Sequence, residues 1–172
     1  DDVSSMYTLA HELGHSMHSE LAGDTQPYVY ADYTIFIAEI ASTVNETLLT
    51  HHLLDTVEEE QLGRHILNEY LERFRSTLFR QTMFAEFERR VHQLSESGEA
   101  LTSDRLDDVY HGLKGEFYEP ATRDDRIARE WMRIPHFYYS FYVYQYSTGI
   151  SAAVSLVESI REEGDPAAQR YR

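Results

Sequence analysis

An all-α fold is what this sequence predicts, and three observations carry the prediction. Apolar residues recur at helical spacing through most of the 172 residues. Only four prolines and eight glycines interrupt them. There is no internal repeat, and no low-complexity tract breaks the pattern. The expectation is one helical domain over residues 1–172, built of about six helices.

Each element has its local reason. Residues 3–21 read as a first helix, with Asp1 and Asp2 placed to satisfy its first amides and its positive end. The run Ala22-Gly23-Asp24 through Gln26-Pro27 stops it, and Tyr28, Val29 and Tyr30 form a short β-prone stretch. Residues 33–54 are apolar on most sides, so a helix there should lie deep. Residues 58–94 form a long amphipathic run opened by Glu58-Glu59-Glu60, with a break or offset expected near Gly63. Residues 95–98 are a loop, and Thr102-Ser103-Asp104 caps a helix reaching about Tyr118. A polar connector over 119–125 leads to a short helix, 126–133, stopped by Pro135. Residues 136–163 read as the last helix, ended by Gly164-Asp165-Pro166.

Composition bounds the chemistry. With 42% hydrophobic residues the chain can bury a core, and with no cysteine it has neither disulfides nor thiolate ligands. Any metal site must therefore use His, Asp and Glu. Lys plus Arg is 15 against 30 Asp plus Glu, a net charge of -15. That field repels nucleic acid and anionic membranes, so neither is an expected partner. No apolar run is long enough for a membrane span, and the expected compartment is the cytoplasm. The first six residues read as the middle of a longer protein.

His11-Glu12-Leu13-Gly14-His15 matches H-E-x-x-H and falls inside the first predicted helix, the context that motif needs. Residues i and i+4 share a helix face, so both imidazoles can reach one ion. Glu12 lies about 100° round the helix from His11, where it can touch a metal-associated water and act as a base. In a chain this rich in His and Glu the pentapeptide also arises by chance, and two histidines on a solvated face are the plain alternative. A catalytic zinc needs a third protein ligand and one open position. His18 stands two turns, about 10 Å, from His11 and cannot share its ion. The metzincin continuation fails, since His18 and Leu21 occupy its glycine and third-histidine positions. Glu20 points to the far side of the same helix.

The second predicted helix carries Glu39 and Glu46 in an otherwise apolar stretch, seven residues apart and so on one face. Buried unpaired carboxylates cost several kcal/mol, so the pair asks for a cation or strong donors. One would bind the ion and the other stand behind it, in either order. Ion-paired core acids are the plain alternative.

Three ordered blocks carry a family resemblance. They are His11-Glu12-Leu13-Gly14-His15-Ser16-Met17-His18, Phe36-Ile37-Ala38-Glu39-Ile40-Ala41-Ser42, and Arg133-Ile134-Pro135-His136-Phe137-Tyr138-Tyr139 with Phe141-Tyr142-Val143-Tyr144-Gln145-Tyr146. Together they resemble the oligoendopeptidase F branch of the thimet oligopeptidase family, over nearly the whole chain. The resemblance implies a zinc endopeptidase acting on oligopeptides, and a helical catalytic domain that is the C-terminal part of a larger channel-type peptidase. It implies one Zn2+ held by His11, His15 and Glu39, with Glu12 as general base and Glu46 as the carboxylate behind the ligands. It further implies that a zinc-bound water attacks the peptide carbonyl. The surface bared by the absent N-terminal region leaves a homo-oligomer open.

The third block adds donors for a developing oxyanion. Residues 136–146 hold five tyrosines and one histidine. By resemblance, His136 and Tyr142 match the family's carbonyl-contacting pair. Tyr139, a helical turn from each, is the reserve candidate. Tyr138, Tyr144 and Tyr146 are expected to be core tyrosines with satisfied hydroxyls. His51 and His52 sit side by side and face different ways, so a shared metal is not expected. His65, His92 and His111 read as ordinary residues of amphipathic helices. Arg126, Arg129 and Arg133 recur at helical spacing and are expected to pair with acids. A ferritin-like di-metal bundle would need a second E-x-x-H beside Glu12–His15, and none occurs. A catalytically silent helical scaffold is the remaining alternative.

Overall fold

The computed structural model describes residues 2–172, without the side chain of Ile35; the expected role of Asp1 in capping lies outside them. The described residues are helical and turn structure, with no strand among them. Seven α-helices succeed one another: α1 (Val3–Thr25), α2 (Ile35–Thr56), α3 (Glu60–Arg73), α4 (Arg80–Glu96), α5 (Ser103–Tyr118), α6 (Tyr144–Glu163) and α7 (Asp165–Tyr171). None is long and apolar enough to cross a membrane. The chain divides into two compact units, residues 1–74 with 148–172, and residues 75–147.

In the first unit α1 packs along α2. Asp2 caps α1 by accepting the Ser5 N–H at 2.7 Å. Val44 on α2 meets Ala153 and Val157 on α6, with Ile40, Leu48, Leu156 and Tyr171 around them. Thus α2 is buried on several sides, as its apolar sequence requires. Two of its buried threonines bond locally: Thr47 Oγ1 donates to the Thr43 carbonyl and Thr50 Oγ1 to that of Glu46.

In the second unit the core is Met83, Phe84, Phe87, Tyr110, Leu113, Ile134 and Val143. At its edge Glu130 collects four donors: Arg80 and Arg133 at 2.5 and 2.7 Å on one oxygen, Tyr110 and Lys114 at 2.9 and 2.7 Å on the other. Arg126 pairs with Asp124 and Arg129 with Asp107, so the three arginines expected to meet acids do so.

The structure corrects the sequence expectations at several points. The first helix runs through Gly23 to Thr25, a turn past the expected stop, and ends just before Pro27. Tyr28–Tyr30 is a 3-10 turn, because Pro27 starts a tight turn closed by Tyr30 N–H on the Pro27 carbonyl. The offset in the long amphipathic run is not at Gly63, which α3 accommodates; it is a π-helical segment, Phe74–Phe79. The short element before Pro135 is a 3-10 helix, Asp125–Arg133. Residues 136–163 are not one helix: Pro135–Tyr138 is a 3-10 turn, an irregular stretch comes next, and α6 begins only at Tyr144. Gly164 does end α6, at φ 72, but Pro166 then opens α7 in the first turn, where its missing N–H is harmless.

Burial alone would push the Glu130 carboxyl up, but the bonds from Lys114, Tyr110 and Arg80 bring it down to about 2. Lys114 is itself pulled down by burial, more than Glu130 holds it up, so the cluster is organised around the carboxylate. Glu130→Ala should therefore destabilise the protein by about 3–5 kcal/mol, because it leaves Lys114 buried without its counter-charge. A depressed carboxyl stabilises above its unfolded value near 4.5 and loses that contribution as pH falls toward 2. Urea unfolding at pH 7 and pH 3 checks both: the parent should weaken at the lower pH and the variant much less.

Candidate metal centre

α1 holds His11 and His15 on one face, one turn apart, and the structure turns their rings edge to face at 4.7 Å. Their Nε2 atoms stand 3.1 Å apart. Glu39, on α2, brings Oε2 to 3.5 Å from His11 Nε2 and 4.0 Å from His15 Nε2. Ligand atoms of these three half-buried residues all lie within 4.8 Å of one another. It is the one such group of His, Asp and Glu found among the described residues.

Gly14 makes this approach possible. It is buried, and a Cβ there would stand 2.5 Å from Ser42 Cα and 2.8 Å from the Ala41 carbonyl oxygen. Both are α2 backbone, so only glycine lets the helices come this close. Asn45 Nδ2 also donates to the Ala10 carbonyl at 3.3 Å, tying the helices one turn further along.

Behind the ligand atoms lies a second set of contacts. His11 Nδ1 sits 2.9 Å from Glu46 Oε1, and Glu46 Oε2 accepts from Arg73 Nε at 3.2 Å. The Arg73 guanidinium lies over the Tyr7 ring at 4.5 Å, and Tyr7 Oη is 2.9 Å from Thr50 Oγ1. The bond to Glu46 holds the His11 imidazolium pKa above the ordinary value, against the effect of burial. With its Nδ1 proton directed to Glu46, a neutral His11 turns its Nε2 lone pair toward His15 and Glu39. Two imidazole nitrogens and one carboxylate oxygen, with no thiolate, form a donor set that suits zinc.

The other candidates separate clearly. Glu12 is exposed on α1, outside the cluster of ligand atoms. His18 stacks on Tyr33 at 3.8 Å, and Glu20 is exposed. His51 pairs with Glu158 and Arg161. In the second unit His136, Tyr139, Tyr142 and Tyr146 form one aromatic cluster: His136 stacks on Tyr142 at 5.8 Å and 15°, and Tyr146 Oη donates to Tyr142 Oη at 3.5 Å. The helical spacing expected to relate Tyr139 to its neighbours is absent; a turn, not a helix, gathers these rings. Tyr138 and Tyr144 are 87% and 45% exposed, so neither is the expected core tyrosine.

Sequence reasoning missed Arg73, Tyr7 and Ser42. Ser42 Oγ approaches Glu39 Oε2 at 3.4 Å, and the i, i+3 spacing on α2 was the available signal. Arg73 carries no local signal, since it comes from another helix.

The model of the family described as Peptidase family M3 matches residues 2–172. Oligopeptidase PepF of Bacillus subtilis is 50% identical over 172 residues, covering 99% of this chain and 26% of that protein. Group B oligopeptidase PepB of Streptococcus agalactiae is 50% identical over 161 residues, 93% of this chain and 27% of that protein. The crystal structure of oligoendopeptidase-F from Enterococcus faecium superposes with a TM-score of 0.85 at 46% identity, covering 98% of this chain and 30% of that one. The chain thus spans under a third of the length of these relatives.

The close contact of the helices gives a test that needs no substrate. Gly14→Ala should cost about 1–3 kcal/mol in stability, the usual range for overpacking, and weaken zinc binding by moving both histidines away from Glu39. Equilibrium unfolding and a competitive zinc titration measure the two effects; unchanged zinc affinity would show that the helix spacing does not set the site.

Proposed function

Because this chain belongs to Peptidase family M3, we propose that it carries the zinc site and catalytic base of a metalloendopeptidase that hydrolyses oligopeptides. The single observation that carries the reading is the convergence of His11, His15 and Glu39. The oligopeptidase names of its relatives support the substrate class.

In this reading one zinc ion is held by His11, His15 and Glu39. When bound, it supplies Lewis acidity, lowering the pKa of water and polarising a carbonyl. Glu12 accepts the proton of the attacking water and passes it to the leaving amine nitrogen. Its neighbourhood to His11 on the helix and its exposure leave the carboxylate free to reach solvent and substrate. Glu46 fixes the His11 ring by accepting at Nδ1, and Arg73 steadies Glu46 in turn. His136 and Tyr142 offer N–H and O–H donors to the oxyanion, with Tyr139, 63% exposed, in reserve.

Two variants separate ligand from base. Glu39→Gln should lose most zinc affinity, read by competitive chelation. Glu12→Gln should bind zinc as the parent does while peptide hydrolysis falls by about 10²–10⁴-fold, the span of general base catalysis. Zinc retained by the first with parental affinity, or hydrolysis retained by the second, would remove the corresponding residue from its role. Full zinc binding without any peptide hydrolysis in the parent would favour the silent scaffold.

A further inference from the structure

Ser140 and Phe141 both adopt positive φ, 42 and 57, in the stretch that links His136 to Tyr142. Two consecutive residues with a Cβ in the left-handed region are strained, and neither is the glycine or asparagine that relieves it. Something in the surrounding structure must hold them there.

The holding group is Glu88 on α4. Its Oε1 accepts the Phe141 N–H at 2.8 Å from 53 positions earlier in the chain. One helical turn further along α4, the His92 ring lies against the Phe141 ring at 4.4 Å. The same helix therefore grips the turn twice, once by its backbone and once by its side chain. Glu88 is only 5% exposed, between buried neighbours Phe84 and Phe87, and its second oxygen finds no partner among the described residues. A carboxyl so placed is a poor choice for stability alone: burial pushes it up, and the Phe141 amide offsets that only in part. An apolar side chain would fill the position without that desolvation penalty, but it could not hold the amide.

The held turn sets the course of the chain beyond it. Phe141 directs the backbone into Tyr142, whose ring stacks on His136 at 5.8 Å and meets Tyr139 at 5.9 Å. A relaxed Phe141 would swing the next residue away from that stack. We propose that Glu88 is a positioning residue, which clamps the Ser140–Phe141 turn and so aligns His136 and Tyr142 for the peptide carbonyl. This role rests on His136 and Tyr142 being the oxyanion donors of the proposed peptidase.

The zinc-loaded full chain provides the test, with Glu88→Leu and Glu88→Gln compared with the parent. Glu88→Leu should speed hydrogen exchange in the segment 136–143 by roughly 10-fold or more, the effect of losing one hydrogen bond to a charged group, and lower kcat by a similar factor, with zinc content unchanged. Glu88→Gln keeps an acceptor in place and should recover most of both. Should Glu88→Leu fail to fold, Glu88→Asp, one methylene shorter, draws the carboxylate back from the amide and is read in the same way. Parental exchange and kcat in the variant without an acceptor would overturn the clamp. So would faster exchange spread over the whole of residues 75–147, or a Gln variant as impaired as the Leu one. His136→Gln and Tyr142→Phe are measured beside them: if both keep the parental kcat, the donor reading fails, while the exchange data still judge the clamp independently.

Discussion

The close approach of α1 and α2 at Gly14 is the constraint on which the cluster of His11, His15 and Glu39 depends. Two helices ordinarily pack about 8–10 Å apart, with side chains filling the space between them. Here a glycine sits directly against the α2 backbone at Ala41 and Ser42, one position before His15 and nearly one turn beyond Glu39 on the facing helix. A glutamate side chain can then reach two imidazoles borne by the neighbouring helix. Each helix supplies what the other lacks: α1 the paired nitrogens and the adjacent Glu12, α2 the carboxylate and its partner Glu46.

Charge placement obeys a similar constraint. The chain is strongly acidic, yet its half-buried and buried carboxylates are answered individually. Glu46 lies between His11 and Arg73, and Glu130 takes four donors. Arg73, Arg80 and Lys114 stand where a carboxylate leaves water, which is where pairing matters most; exposed pairs such as Arg64–Glu60 add little. Glu88 is the exception, meeting one backbone amide, and its isolation is what ties it to a turn rather than to the core.

The aromatic third block shows a different route to order. Its rings are gathered by a 3-10 turn and two left-handed residues, where a helix would have spread them around its axis. That arrangement brings His136, Tyr139, Tyr142 and Tyr146 into one cluster. An irregular backbone of this kind needs outside support, and α4 supplies it.

The sequence by itself determined the helical class, the pairing of His11 with His15, and the choice of Glu39 and Glu46 as the acids worth attention. These come from spacing along one helix, which the 3.6-residue period makes legible, and from the cost of carboxylates in an apolar stretch. Family resemblance, carried by three short blocks, assigned the two acids different parts. The folded chain alone decided which contacts join separate segments: Arg73 behind Glu46, Gly14 against Ser42, Glu88 on the Phe141 amide. It also decided that residues 136–143 leave the helix, against a local pattern that favours one. Periodicity reports only neighbours a few residues apart, whereas a bond spanning 53 residues or a backbone held at positive φ depends on what the rest of the chain brings beside it.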